Sequence, residues 1–225
     1  MHTDMFPVRT FKLKSNRPCV KNVKIHFKLL RPLHAHTLEN QVRQISSEQC
    51  EAKRHNNYYV IRNRDSKLIY TVFTNSKHVN ITGIKGFNCI QSALAHFNKD
   101  FNQNIKRSQV VVDNSTASGK FFFIGPSHKN QPVDCDDDFE PFFPLQQIKF
   151  LVDHHLLFQH MRFSLAPAGF PGGVIRISGW PTAILFASGR FTIVGGKSNQ
   201  KIRETYSELC FCVRIWKQIL GVRRF

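Results

Sequence analysis

The sequence predicts an α+β fold made of two repeats, each an antiparallel sheet with helices on one face. Three observations predict it. The order strand, helix, strands, helix runs twice along the 225 residues. Short alternating apolar runs are separated by polar turns, and helical stripes follow them. Hydrophobic residues make up 41% of the chain, enough for a core at a length that suits one large domain or two small ones. Two such repeats leave the other sheet face open, and an open apolar face needs a partner.

The elements follow in order. VKNVKIHFKLL, Val20 to Leu30, alternates as a first strand. His36 to Ile45 reads as a helix, with Thr37 as its cap and Leu38, Val42 and Ile45 on one face. Strands are expected at Asn57–Asn63, Lys67–Thr74 and Lys77–Thr82, with NRDS and NS as turns. Phe87 to Phe101 is a helix with Ile90, Leu94, Phe97 and Phe101 in a stripe. The second repeat opens with a strand at Ser108–Ser115, and GKFFFIG adds another. Pro144 to Met161 reads as one long helix. GGVIRIS, TAILFAS and RFTIVGG are strands, and Ile202 to Leu220 is an amphipathic helix with Leu209, Val213, Trp216 and Leu220 on one side. The turn-rich segment Gly125 to Pro141 breaks the symmetry with Asp134, Asp136, Asp137, Asp138 and Glu140. It reads as a solvated loop, or as a docking site for a basic partner.

Lysine and arginine number 32 against 15 acids, so the net charge is 32 − 15 = +17. Such a surface attracts polyanions. Nucleic acid leads; anionic membrane, an acidic protein and a plain basic surface remain open. The first 18 residues lack a signal-peptide stretch, and no run reaches the about 18 apolar residues of a membrane span. The chain is expected to be intracellular and soluble, with no membrane partner. The six cysteines form no C-x-x-C pair and read as reduced, mostly buried thiols. GGKS is no phosphate loop, because Phe191 stands where its first glycine belongs. His154 and His155 are adjacent, not at a metal-pair spacing. Paired carboxylates, an activated nucleophile and a metal cluster are all missing from the pattern, so an enzyme is not expected, nor a cofactor.

The second half resembles the core of the TATA-box-binding protein family. Phe170 to Arg176, FPGGVIR, is similar to a strand opening of that family, and Phe186 to Ser198, FASGRFTIVGGKS, to its final hairpin. SELCFCVRIWKQI falls where the family has its long C-terminal helix. In the first half VIRNRDSK (Val60 to Lys67), Asn22 in KNVKI and ITGIK (Ile81 to Lys85) carry the likeness. It spans roughly Val20 to Leu220 without the acidic insertion near 125–141. It implies an N-terminal extension over 1–18, a first repeat over 19–104 and a second over 105–225. It also implies a pseudo-two-fold saddle, a curved antiparallel sheet with helices on the convex face.

The resemblance implies a transcription initiation factor that binds T/A-rich promoter DNA in the minor groove and bends it; the family is a standard case of such wedge insertion. Phe170 and Phe186 match both rings of the second-repeat intercalating pair, and Phe73 matches one ring of the first. The other first-repeat ring falls on Asn56, with Tyr58 as the substitute on the same face. Asn22, Thr82 and Val194 match groove-contacting positions, and the counterpart of Asn22 falls near Ser108 or Gln109, with Gln109 keeping an amide. Arg62, Lys77, Lys85, Arg176, Arg190 and Lys197 match basic positions expected on phosphates or groove edges, or simply solvated. The turn between Phe73 and Gly83 is one residue longer than that between Phe186 and Gly195, which predicts a bulge. The implied partners are double-stranded DNA, RNA polymerase machinery and a transcription factor IIB-like protein. Ala166 and Ala168 replace the family's docking glutamates, so that last contact is altered. The place of action is the nucleus, or a viral transcription compartment. The alternative is a protein-interaction platform with weak or partner-dependent DNA binding.

Overall fold

A computed structural model describes residues 12–45, 50–74, 76–124, 143–165 and 170–220. The acidic segment, Cys135 and the Ala166–Ala168 stretch lie outside these residues. The described chain forms two compact units. The first unit holds 20–117 with 195–199, and the second holds the described parts of 12–19, 118–194 and 200–220.

In the first unit, β2 (Cys19–Lys28) leads to α1 (Ala35–Ile45), then to β3 (Cys50–Arg54), β4 (Tyr58–Asn63), β5 (Ile69–Phe73) and β6 (His78–Ile84). A helical turn leads into α2 (Ile90–Phe101). The strands hydrogen-bond in the order β3-β4-β5-β6-β2-β7, where β7 is Val111–Ile124. Alternation sorts their side chains: Val23, Ile25, Phe27, Tyr70, Val72, Val79 and Ile81 are buried. Helix α2 covers that face with Ile90, Leu94, Phe97 and Phe101. Phe97 sits edge-on to Phe27 and Tyr70, at 5.1 and 5.5 Å between ring centres.

The second unit uses the same plan. The later part of β7 is followed by α3 (Leu145–His154), β8 (Met161–Leu165), β9 (Gly172–Ile177), β10 (Thr182–Phe186), β11 (Arg190–Val194) and α4 (Asn199–Ile219). Its order is β7-β11-β10-β9-β8, and β1 (Lys12–Ser15) pairs with the end of β7. Helix α4 buries Ile202, Leu209, Cys212, Val213 and Trp216, and Trp216 packs against Phe158 and Phe163.

The expected curved saddle is corrected. The described residues form an α+β fold with a large antiparallel sheet that is neither closed nor strongly curled. Closing a sheet requires its edges to hydrogen-bond, and among the described residues neither β3 nor β8 has a second strand partner.

Local expectations also shift. Helix α1 starts earlier, with the Leu38 N–H donating to the His34 carbonyl, so Thr37 lies inside it and not at its cap. The two strands expected around Ser115 and Gly119 are one strand, because Ser115 and Ala117 keep the buried alternation with no turn residue between them. The long helix from Pro144 stops at His154: His155 is extended (φ −102°, ψ 128°), and buried Met161 and Phe163 flank exposed Arg162 in a separate strand. The extra residue after Phe73 makes no bulge in that hairpin. The β5–β6 register is uniform: β5 ends at Phe73 and β6 begins at His78, whereas in the second unit β10 ends at Phe186 and β11 begins at Arg190. The ladder irregularity lies instead between Val23 and Ile25, where β2 meets β6.

Candidate nucleic-acid interface

In each unit the sheet face opposite the helices carries half-buried side chains of mixed character. In the first unit these include Val60, Ile69, Thr71 and Thr82; in the second, Val174, Ile184, Thr192 and Val194. A solvated sheet face ordinarily alternates to polar residues. Here the β-branched and apolar groups persist on both faces of the strands, which suits close contact with another surface.

Each unit ends this face with a pair of rings. In the second unit Phe170 and Phe186 lie 5.9 Å apart, tilted by 53°. Phe170 is 43% exposed. Gly172 pairs across the ladder with Phe186, and a Cβ there would stand 2.9 Å from the Phe170 ring and 3.2 Å from that of Phe186. The glycine therefore makes room for Phe170 to lean onto its partner. In the first unit Tyr58 pairs across the ladder with Phe73, where Gly172 stands in the second. The Tyr58 and Phe73 rings are 5.6 Å apart, tilted by 47°. Asn56 lies two residues earlier in an exposed turn. The first unit thus keeps a ring pair of similar geometry by moving one ring two positions along the strand. His55 stacks on Tyr58 at 4.5 Å and 15°.

Two asparagines repeat with closer correspondence. The Gly83 N–H donates to Asn22 Oδ1 at 3.0 Å, and the Gly195 N–H donates to Asn114 Oδ1 at 2.8 Å. Both glycines are in the left-handed region, at φ 87° and 92°, and the Gly195 N–H is shared with the Ser115 carbonyl at 3.1 Å. In each pair the oxygen is held, so the side-chain NH2 is the group left to donate outward. Asn114 is the structural counterpart of Asn22. Gln109 instead ends a helical turn, where its Oε1 accepts from the Lys106 N–H at 2.8 Å. The shared pattern Asn22-Val23-x-Ile25 and Asn114-Ser115-x-Ala117, with the last-named positions buried, was the signal for it.

Arg62, Lys77, Lys85, Arg176, Arg190 and Lys197 are all exposed, and none joins an ion pair among the described residues. Arg176 Nη1 donates to Ser164 Oγ at 3.5 Å. Asp113 on β7 brings negative charge to the first unit's open face, where it bonds His26 Nδ1 and stands 3.7 Å from Lys24 Nζ.

The shifted titratable groups belong to the helix side. Burial, then Asp100, holds the Tyr70 phenol well above its usual range, and burial with Glu208 pushes the Cys212 thiol up to about 12. Of the five described cysteines, Cys50 and Cys212 are buried, Cys89 and Cys210 intermediate and Cys19 exposed, so the described thiols are not mostly buried. No group of three His, Cys, Asp or Glu able to hold a metal occurs among the described residues. No helix among them is long and apolar enough to cross a membrane.

Against solved structures, the TBP (TATA-box-binding protein) of Methanococcus jannaschii matches with a TM-score of 0.59. The match covers 88% of this chain and 99% of that one, at 19% identity. The fold is TBP-like. No protein-family model matches the sequence, and no curated protein does. The TBP-like assignment thus rests on the backbone path and not on sequence identity. The ring pairs and the two Asn–Gly pairs are features of this chain's own residues within that TBP-like fold.

Proposed function

We propose that the open sheet faces of this protein bind the minor groove of T/A-rich duplex DNA and bend it, and that it acts in transcription initiation. The observation that carries the reading is the ring pair at the end of each unit's open face, Tyr58–Phe73 and Phe170–Phe186. A flat apolar ring offsets stacking lost when a base step opens. Asn22 and Asn114 present amide donors to the acceptors that A·T and T·A pairs display in that groove. Thr82 and Val194 add small β-branched contacts beside them. The six unpaired basic residues neutralise phosphates and position the duplex without reading it. Deformability of T/A steps supplies further preference. The helix side recruits polymerase machinery and a factor IIB-like protein, with a contact altered by Ala166 and Ala168.

A second reading, a protein-interaction platform, is favoured by one observation: Phe150, Leu156 and Leu157 in the second unit are 67, 77 and 58% exposed. One experiment separates the two. Duplexes carrying end labels for energy transfer, T/A-rich or G/C-rich, are titrated at fixed salt. Selective binding with a sharp bend, lost in Phe170→Ala/Phe186→Ala, is expected. Weak, unselective binding without bending overturns the DNA reading in favour of the platform.

A further inference from the structure

The first unit's open face holds a polar cluster that a minor-groove surface does not require. His26 lies between Ile25 and Phe27, which are 0 and 1% exposed, so alternation sets its ring on the opposite, open face. Its side chain is 33% exposed. Nδ1 bonds the Asp113 carboxylate, which in either charge state of the imidazole makes Nδ1 the donor. The ring is thereby fixed in tautomer and in orientation. Nε2 has no partner among the described residues. The neighbours that carry charge are Lys24 and Lys28 on β2, His78 on β6, whose register partner is Lys28, and Asp113 on β7; Asn80 of β6 stands directly opposite His26.

With Nδ1–H committed, Nε2 has two faces chemically. Neutral, it carries a lone pair and accepts. Protonated, it carries a hydrogen and donates. The minor groove distinguishes these: A·T and T·A offer only acceptors, whereas G·C adds the guanine N2 amine as a donor. Resting on the minor-groove reading above, we infer that His26, oriented by Asp113, is a base-reading residue whose charge state sets the preference at one position. The imidazolium donates to adenine N3 or thymine O2; the neutral ring accepts from guanine N2. The proton comes from and returns to solvent, and no bond other than N–H changes.

Inosine tests this directly, because an I·C pair differs from G·C only by the missing N2 amine. The full chain is titrated with T/A-rich duplexes in which single pairs are replaced in turn by I·C or G·C, at constant salt. Measurements are made at about pH 5.5 and about pH 8, which span the range where imidazoles change charge. At one position the ratio of G·C to I·C dissociation constants is expected to fall about tenfold as pH rises, the size of one good base contact. In His26→Gln and in His26→Phe that change disappears while duplex binding persists. In His78→Gln it remains. A ratio that does not move with pH in the native chain overturns the inference and leaves the minor-groove reading standing. So does one that moves equally in both His26 variants, or only through His78. Absence of duplex binding at both pH values overturns both.

Discussion

The two units build their ring pairs from different sequence. The second unit writes Phe-x-Gly, with Phe170 leaning across Gly172 onto Phe186. The first writes Asn-x-Tyr, with the ring at Tyr58 itself and the preceding position left polar. Centroid distances of 5.9 and 5.6 Å and tilts of 53° and 47° are nearly the same. The lesson is that a ring position belongs to a place on the sheet, not to a column of a sequence comparison. The units are unlike in what surrounds the rings: His55 stacks on Tyr58, whereas Phe170 is 43% exposed.

The largest expected effect comes from deleting one pair or the other. Phe170→Ala/Phe186→Ala and Tyr58→Ala/Phe73→Ala should each weaken duplex binding about a hundredfold, since opening a base step costs a few kcal/mol and about 1.4 kcal/mol is tenfold. Comparable losses by titration confirm the equivalence; an effect confined to the second unit breaks it. Next is Gly172→Tyr, which places a ring where a Cβ already crowds Phe170 and Ile184. It should cost about 1–3 kcal/mol in denaturant unfolding. Adding Phe170→Asn should recover part of that cost by recreating the first unit's arrangement, and a double-mutant cycle reads the coupling.

Smaller effects test the asparagines. Asn22→Ala and Asn114→Ala should each lower stability by about 1 kcal/mol, by losing one bond to a glycine amide. Both should also weaken T/A-duplex binding, whereas Gln109→Ala should leave that binding unchanged. A Gln109→Ala effect as large as that of Asn114→Ala would reverse the assignment. The smallest is a pH effect in the second unit. The folded state holds the Cys212 thiol protonated up to about 12, against a reference of 9.0. Its contribution is therefore complete below pH 9.0 and is lost as pH rises toward about 12. Cys212→Ala should flatten that alkaline decline in a thermal unfolding series.

Much of the fold was legible because alternation and helical stripes are strong signals. Val23, Ile25 and Phe27 on β2 and Leu94, Phe97 and Phe101 on α2 announce their faces directly. Strand β3, with Glu51, Lys53 and Arg54 exposed, carries almost no such signal and is placed only by its ladder with β4. Strand β8 was hidden because MRFSL follows an apolar run whose stop depends on the backbone at His155. At the candidate site, the motif singles out Phe170 and Phe186, whose rings the structure places side by side. Asn114 was missed because Gln109 lies nearer the expected strand start, and only the bond to Gly195 distinguishes them. The Asp113–His26 contact joins residues 87 apart, and no local pattern encodes it.

The distribution of each unit along the chain has a consequence for synthesis. The first unit is nearly contiguous, 20–117, and lacks only 195–199. Most of its core is available to collapse once about half the chain has left the ribosome, in keeping with folding of domains as they emerge. The second unit is stitched from segments at both ends: β1 waits for Phe121–Ile124, and Ser15 meets Tyr206 across 191 positions. Closing so long a loop is entropically slow. Asn114, although it belongs to the early unit, receives its Gly195 amide only after β11 has been made. The Asn114–Gly195 pair is thus completed among the last events of the chain's biogenesis, so a nascent or truncated chain has one anchored asparagine where the finished protein has two.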